Sequence, residues 1–187
     1  GHSALDKATI TGSATEMLMG EVRFLRAYAY FTLYRYYGGV PLIIEPTGPK
    51  PDYVPRATRQ EMFKFLYDEM AYALDKCLDN RSGIAYGRVT KGAVAGMLAK
   101  MKIFHASYIR RAEMYGNKIN ETTADDVDKT TLYADAVKLC DDIIAGVYGT
   151  YKLEEYFPAV FTKRNNEIMF SVLAEEGVGT RNKIPMG

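Results

Sequence analysis

Residues 20–44 read GEVRFLRAYAYFTLYRYYGGVPLII, and the fold follows from how this stretch is spaced and how it stops. Phe24, Ala27, Tyr28, Phe31 and Tyr34 recur three and four residues apart, so they share one face of a helix with 3.6 residues per turn. Gly20 and Ala27 lie on that face beside the large rings. Small side chains let a neighbouring helix approach while the aromatics fill the flanks, which assigns Phe24, Tyr28 and Phe31 to the core. Gly38 suits the left-handed conformation that caps a helix, and Pro41 cannot continue one. The first helix therefore spans roughly Ser13 to Tyr37, and the apolar, extended VPLII run tucks back onto it. Arg23 and Arg26 share a flank of the apolar face. They are either solvated or salt-bridged guanidinium groups, or anchors for a carboxylate or backbone carbonyls in the next layer.

Working outward, EPTGPKPDYVPR (45–56) carries four prolines and a glycine and is a rigid extended connector. Thr58-x-x-Glu61 is a capping box that opens a second helix, about 58–79, with Met62, Leu66, Met70, Ala73 and Cys77 as its apolar stripe. The loop NRSGIAYGR follows. A third helix starts at the cap residue Thr90 and ends near Tyr115. Ala93, Met97, Met101 and Phe104 line one side of it, widened by Val94, Leu98 and Tyr108, and Ala95, Gly96 and Ala99 permit close contact. A fourth covers about Leu132 to Ala145 with Tyr133, Ala136, Val137, Cys140 and Ile144 inward, and Gly146 and Gly149 end it. Beyond a short helical turn in YKLEEYFPAVFT, Ile168, Phe170 and Val172 alternate with Met169, Ser171 and Leu173 as in a single strand. Such a strand needs a partner, which is expected in residues outside this sequence.

Composition removes several function classes. Lys and Arg number 24 against 23 Asp and Glu, so a net charge of +1 gives no reason to invoke nucleic acid or an anionic membrane surface. No apolar run approaches the roughly 18 residues of a membrane helix. Cys77 and Cys140 fit no ligand spacing and occupy apolar-stripe positions, which reads as two buried free thiols. His105, the one internal histidine, has no cysteine or acid triplet beside it and reads as a partly buried packing residue. Asp125, Asp126 and Asp128 sit in a polar loop that lacks the glycine and terminal glutamate of a calcium loop; no metal or cofactor is expected. Glu154-Glu155, Asp141-Asp142 and Glu175-Glu176 are sequence neighbours that point in different directions, so they do not form a carboxylate pair across a cleft. With no serine elbow, Cys–His pairing or phosphate loop, no catalytic residue is assigned and the chain is not expected to be an enzyme.

Fifteen tyrosines with no tryptophan suit tyrosine-rich helix packing, and a few suit a carbohydrate surface, where a sugar's C–H face packs on a ring and its hydroxyls bond outward. The candidates for ligand contact are Tyr53 and Tyr86, the aromatics of the two loops that break the helical stack. The alternative for Tyr53 is a ring that pins the connector to the helices.

Phe24-x2-Ala27-x3-Phe31 and Tyr133-x2-Ala136-x3-Cys140 share the second-helix pattern of a tetratricopeptide repeat, in which alanine marks closest helix contact. Longer helices and the intervening acidic loop make the repeat degenerate. The expected fold class is thus mainly all-α: a degenerate tetratricopeptide-like helical repeat scaffold with one short β-strand near the C-terminus, as a single domain over residues 1–187. Gly1-His2-Ser3 reads as a processing or expression scar, and TRNKIPMG closes on neither helix nor strand, so the sequence is expected to be a piece of a longer protein.

RFLRAYAYFTLYRYYGGVPLI also resembles the hallmark segment of the SusD/RagB family of outer-membrane lipoproteins. RATRQEMFKFLYDEM, GRVTKGAVAGMLAKMKIFHASY, YADAVKLCDDIIAG and NNEIMFSVLAEE agree with it in order, so the resemblance covers nearly all of residues 16–176. It implies a helical tetratricopeptide-like scaffold and a surface-exposed lipoprotein of the outer membrane of Bacteroidetes. The implied function is capture of oligosaccharides or other nutrients as the lid of a SusC-type TonB-dependent transporter. Any membrane attachment would be through an N-terminal lipidated cysteine that this sequence lacks. The family's ligand contacts come largely from outer regions, and none of its ligand motifs carries over to a residue here. The alternative function is a helical-repeat scaffold that binds a protein partner only.

Overall fold

The computed structural model describes residues 12–45, 54–79, 87–115, 127–162 and 165–171. The first helix, α1, spans Ser13–Tyr37. It stops because Gly38 takes φ +69° and turns its N–H back to Tyr34 O at 2.9 Å. The following run does return onto α1: the Tyr30 hydroxyl accepts from Ile43 N at 2.9 Å and donates to Ile43 O at 3.0 Å, and Val40 and Leu42 pack on the core. Gly39 lets the chain before α2 come close. A Cβ there would lie 2.5 Å from Ala57 O, while Ala57 N donates to Val40 O at 3.0 Å.

The capping box is present in both directions at the start of α2 (Arg59–Lys76). Glu61 N donates to Thr58 Oγ1 at 3.2 Å, and Thr58 N donates to Glu61 Oε2 at 2.8 Å. Replacing Thr58 by alanine is expected to cost about 1 kcal/mol in a urea titration, the ordinary worth of such a cap. The hydrogen bonds from the Thr58 backbone, then from its side chain, hold the Glu61 carboxyl below its ordinary value. A lowered carboxyl stabilises the fold above its unfolded value. That contribution is lost as pH falls through the lowered folded value, and the Thr58→Ala chain, which keeps the backbone donor and loses only the hydroxyl, should show a shallower acid-side slope.

All five expected stripe residues of α2, from Met62 to Cys77, are buried. The third helix, α3 (Lys91–Tyr115), is capped by Thr90, whose Oγ1 accepts from Ala93 N at 3.3 Å. Thr90 also forms an isolated parallel bridge with Leu78, which ties the end of α2 to the start of α3. Ala93, Val94, Ala95, Leu98, Ala99 and Met101 are buried, while Met97 and Phe104 are half-buried. Helices α4 (Lys129–Ile144) and α5 (Ala159–Thr162) complete the described elements. Successive helices pack on one another, α1 on α2, α2 on α3 and α3 on α4, with α1 also reaching α3.

Four expectations are corrected. Helix α4 begins earlier, because Asp128 caps it by accepting from Thr130 N at 3.0 Å, and it turns a different stripe inward. Leu132, Ala136 and Leu139 are buried with Ile143 packed beside them, whereas Val137 is 59% exposed and Ile144 83%. The two stripes are offset by one residue, so both are apolar by spacing, and the contact with α3 selects the one carrying two leucines. Cys140 goes outward with Val137 and is exposed, so only Cys77 is a buried thiol. Tyr28 is 40% exposed: it sits at the rim, stacked on Phe24 at 6.4 Å and tilted on Phe170 at 6.2 Å, while Phe24 and Phe31 are buried. Of the expected strand, the described part up to Ser171 is irregular. Phe170 instead wedges edge-on against Phe24 at 5.2 Å, and the Met169 methyl lies where a Gly96 Cβ would be only 3.1 Å away.

The Cys77 sulfur lies where a Gly20 Cβ would meet it at 3.2 Å, which realises the close approach of α1 and α2. Burial, and then the nearby Glu21 carboxylate, pushes its thiol up to about 12. Maleimide labelling of the folded chain is therefore expected to modify Cys140 promptly and Cys77 only in denaturant. Equal rates for the two thiols would show that the α1–α2 seam opens.

Candidate functional site

Tyr53 and Tyr86 lie outside the described residues, but the chain on either side of them is fixed. Val54 leads through Ala57 to Thr58 at the start of α2. Gly87, at φ +100°, leads to Thr90 beside Leu78 at its end. With 18 residues and a rise of about 1.5 Å each, α2 is about 27 Å long. The two loops thus join the stack at opposite ends of one helix. The second stem is anchored by Arg88, whose Nε and Nη2 each donate to the Glu21 carboxylate at 2.7 Å.

Between these ends, a cleft of about 240 Å³ opens over α2 and α3. Phe63, Tyr67 and His105 form its aromatic wall, and Lys64 and Asp68 form a rim ion pair at 2.7 Å. His105 is fully buried rather than partly. Its ring lies parallel to Phe63 with centroids 3.8 Å apart, and its Nδ1 shares a 2.9 Å hydrogen bond with the Tyr67 hydroxyl. Packing on Phe63 and the Tyr67 phenol both hold the imidazole. Among the described residues no group of three or more His, Cys, Asp or Glu side chains is placed to hold a metal ion.

The α1–α2 seam holds the two arginines read from the sequence. Arg26 Nε donates to Glu69 Oε2 at 2.8 Å, and Arg23 Nη1 stands 3.6 Å from Glu69 Oε1. Tyr72 lies 4.0 Å under the Arg23 guanidinium and Phe65 5.5 Å from that of Arg26. The arginines are salt-bridged, and the carboxylate they hold is Glu69 of the neighbouring helix, so the two readings meet in one ion-pair cluster. Sequence gave no sign of it, because a lone glutamate beside the stripe residue Met70 looks like a solvent-facing one.

The last feature is at the C-terminal end of α1. Tyr36 is 77% exposed and Tyr37 67% exposed, with ring centroids 6.4 Å apart and planes 57° from each other. The spacing of the hallmark stretch singles out neither ring.

Stacked antiparallel helices with alanine at the contacts, buried ion pairs in the seams and loops at the ends define a helical-repeat scaffold that presents loops, with no catalytic cluster among the described residues. The SusD-like family, described as starch-binding and associating with the outer membrane, matches residues 3–103. The chain belongs to this family. A SusD-like protein of Bacteroides ovatus is 26% identical over 143 residues, which are 71% of this chain and 25% of that protein. The crystal structure of a SusD-like protein from Bacteroides fragilis superposes with a TM-score of 0.66 at 26% identity, over 89% of this chain and 29% of that one. A laminarin-binding SusD-like protein superposes with a TM-score of 0.61 at 22% identity, over 92% of this chain and 33% of that one. The chain thus spans a quarter to a third of the length of these relatives.

Proposed function

We propose that the chain is the helical scaffold of a glycan-capture protein that feeds oligosaccharides to a SusC-type TonB-dependent transporter, without chemical turnover. The observation that carries this reading is the family match over residues 3–103, whose family is described as starch-binding and associating with the outer membrane. A fold neighbour that binds laminarin supports a neutral glycan as ligand. In this reading residues 1–187 are one helical domain of a surface-exposed lipoprotein, and a lipid outside the chain provides the membrane contact. None of the described helices is long and apolar enough to cross a membrane.

Calorimetric titration of the chain with laminarin and with malto-oligosaccharides tests the ligand, and co-purification with a SusC-type transporter tests the partner. Absence of both interactions would overturn the reading. Tyr53 and Tyr86 are proposed to touch the glycan. Alanine at either should weaken binding severalfold with the helical circular dichroism unchanged, and because their stems sit at opposite ends of α2 the two losses should add. Loss of helical signal would mean that they pack the loops instead.

A second reading, a scaffold that binds a protein partner only, is favoured by the outward stripe of α4. Val137, Cys140 and Ile144 form an exposed apolar line at helix-packing spacing. Transporter binding with no glycan binding would select it.

A further inference from the structure

We propose that Tyr36 and Tyr37 form a stacking platform for two adjoining sugar rings of a neutral oligosaccharide, at the C-terminal end of α1. The proposal rests on the glycan-capture reading above and adds to it a specific place of contact.

Exposure is the first observation. Two consecutive tyrosines keep most of their surface in water, 77% and 67%, although the same helix buries Tyr34 one turn earlier. Among the described residues, the ring contact of Tyr36 and Tyr37 is with each other, and neither hydroxyl is hydrogen-bonded. They contribute little to the core, yet they hold apolar faces and free phenol groups toward solvent. A sugar offers the complement, a C–H face for the ring and hydroxyls for the phenol.

Rigidity is the second. The rings are carried on the last turn of a 25-residue helix whose end is fixed by the Gly38-to-Tyr34 hydrogen bond of 2.9 Å. The Ala57-to-Val40 bond of 3.0 Å, and the contact that forbids a side chain at Gly39, lock the returning connector beside that turn. A platform already in place loses little conformational entropy on binding. Polar groups for sugar hydroxyls stand nearby: Arg35 precedes the pair, and Arg56 approaches Gly39 with its Cβ 3.7 Å from where a glycine-replacing Cβ would lie. Both arginines are exposed.

Ring geometry sets the ligand class. Planes 57° apart with centroids 6.4 Å apart cannot both lie flat on one sugar ring, so each takes a successive unit of a chain that turns between them. Phe157 and Phe161, a further exposed ring pair among the described residues, lack hydroxyls and sit just before and within a helix of four residues, which suits them less well.

The test is titration of the 187-residue chain, its Tyr36→Ala/Tyr37→Ala variant and its Tyr36→Phe/Tyr37→Phe variant with laminarin and malto-oligosaccharides. Circular dichroism and thermal unfolding serve as the fold control. The double alanine variant should keep its fold and lose about tenfold or more in affinity, while the phenylalanine variant stays within about threefold of the parent. Parent-like affinity in a folded alanine variant overturns the platform and leaves the glycan reading standing. A parent chain that binds neither glycan overturns both. If the alanine variant unfolds, single Tyr36→Ala and Tyr37→Ala chains decide the matter by the same affinity criterion.

Discussion

Replacing Glu69 by alanine is expected to destabilise the chain by about 3 kcal/mol, because it removes the carboxylate shared by two half-buried guanidinium groups. Arg26 Nη1 and Arg23 Nε are already buried with no hydrogen-bond partner among the described residues, and rings cover both guanidinium planes. Glu69 is therefore the acceptor that makes the α1–α2 seam tolerable, and water cannot take its place without opening that seam. The expectation has a companion. A triple replacement, Arg23→Met and Arg26→Met with Glu69→Leu, removes all three charges together and should come out far closer to the parent, since desolvating the ions costs about as much as their pairing returns. Urea titrations followed by circular dichroism measure both. A single-variant loss below about 1 kcal/mol would show that the seam is wet, and that the arginines find solvent after all.

Replacing Phe63 by alanine is expected to cost a similar amount, about 3–5 kcal/mol, through lost burial and the cavity left behind. Its ring is the hub of an aromatic cluster, edge-on to Tyr34 at 5.2 Å, tilted on Phe104 at 6.4 Å and stacked on His105 at 3.8 Å. Tyr28→Ala is the informative contrast. That ring belongs to the apolar face of α1 by spacing but is 40% exposed, so its removal should be several times less costly. Equal losses at the two positions would mean that Tyr28 is covered in solution by something beyond Phe170.

The two arguments converge on how this scaffold serves binding. Ion pairs and rings hold α1 and α2 in fixed register, with the Tyr36–Tyr37 end and the connector stem at one end of that pair and the stem of the loop after α2 at the other. A mutation in the seam should thus weaken glycan affinity only as far as it unfolds the chain, whereas a change at the exposed rings should weaken affinity with the fold intact. Measuring stability and affinity on the same variants separates the two.

Local chemistry was enough to set the helices. Gly38 and Pro41 stop α1, the Thr58–Glu61 box starts α2 and Thr90 starts α3, because caps and breakers act within a turn of chain and need no distant partner. The family was legible for the same reason: it is written in the order of those helices and breaks. Choices between equivalent faces were not legible. Helix α4 offers two apolar stripes one residue apart, and only the α3 surface decides that Leu132 and Leu139 go in while Val137, Cys140 and Ile144 stay out. Phe170 could not be read as a wedge on Phe24, since alternation along its own segment describes a strand and says nothing of a helix face waiting for it. Glu69 was equally silent, because its meaning lies 43 residues away in Arg26. The sequence by itself determined where α1, α2 and α3 begin, where α1 stops and which family they spell. The tertiary structure alone decided which of their faces meet, because burial and charge pairing are properties of two surfaces and never of one.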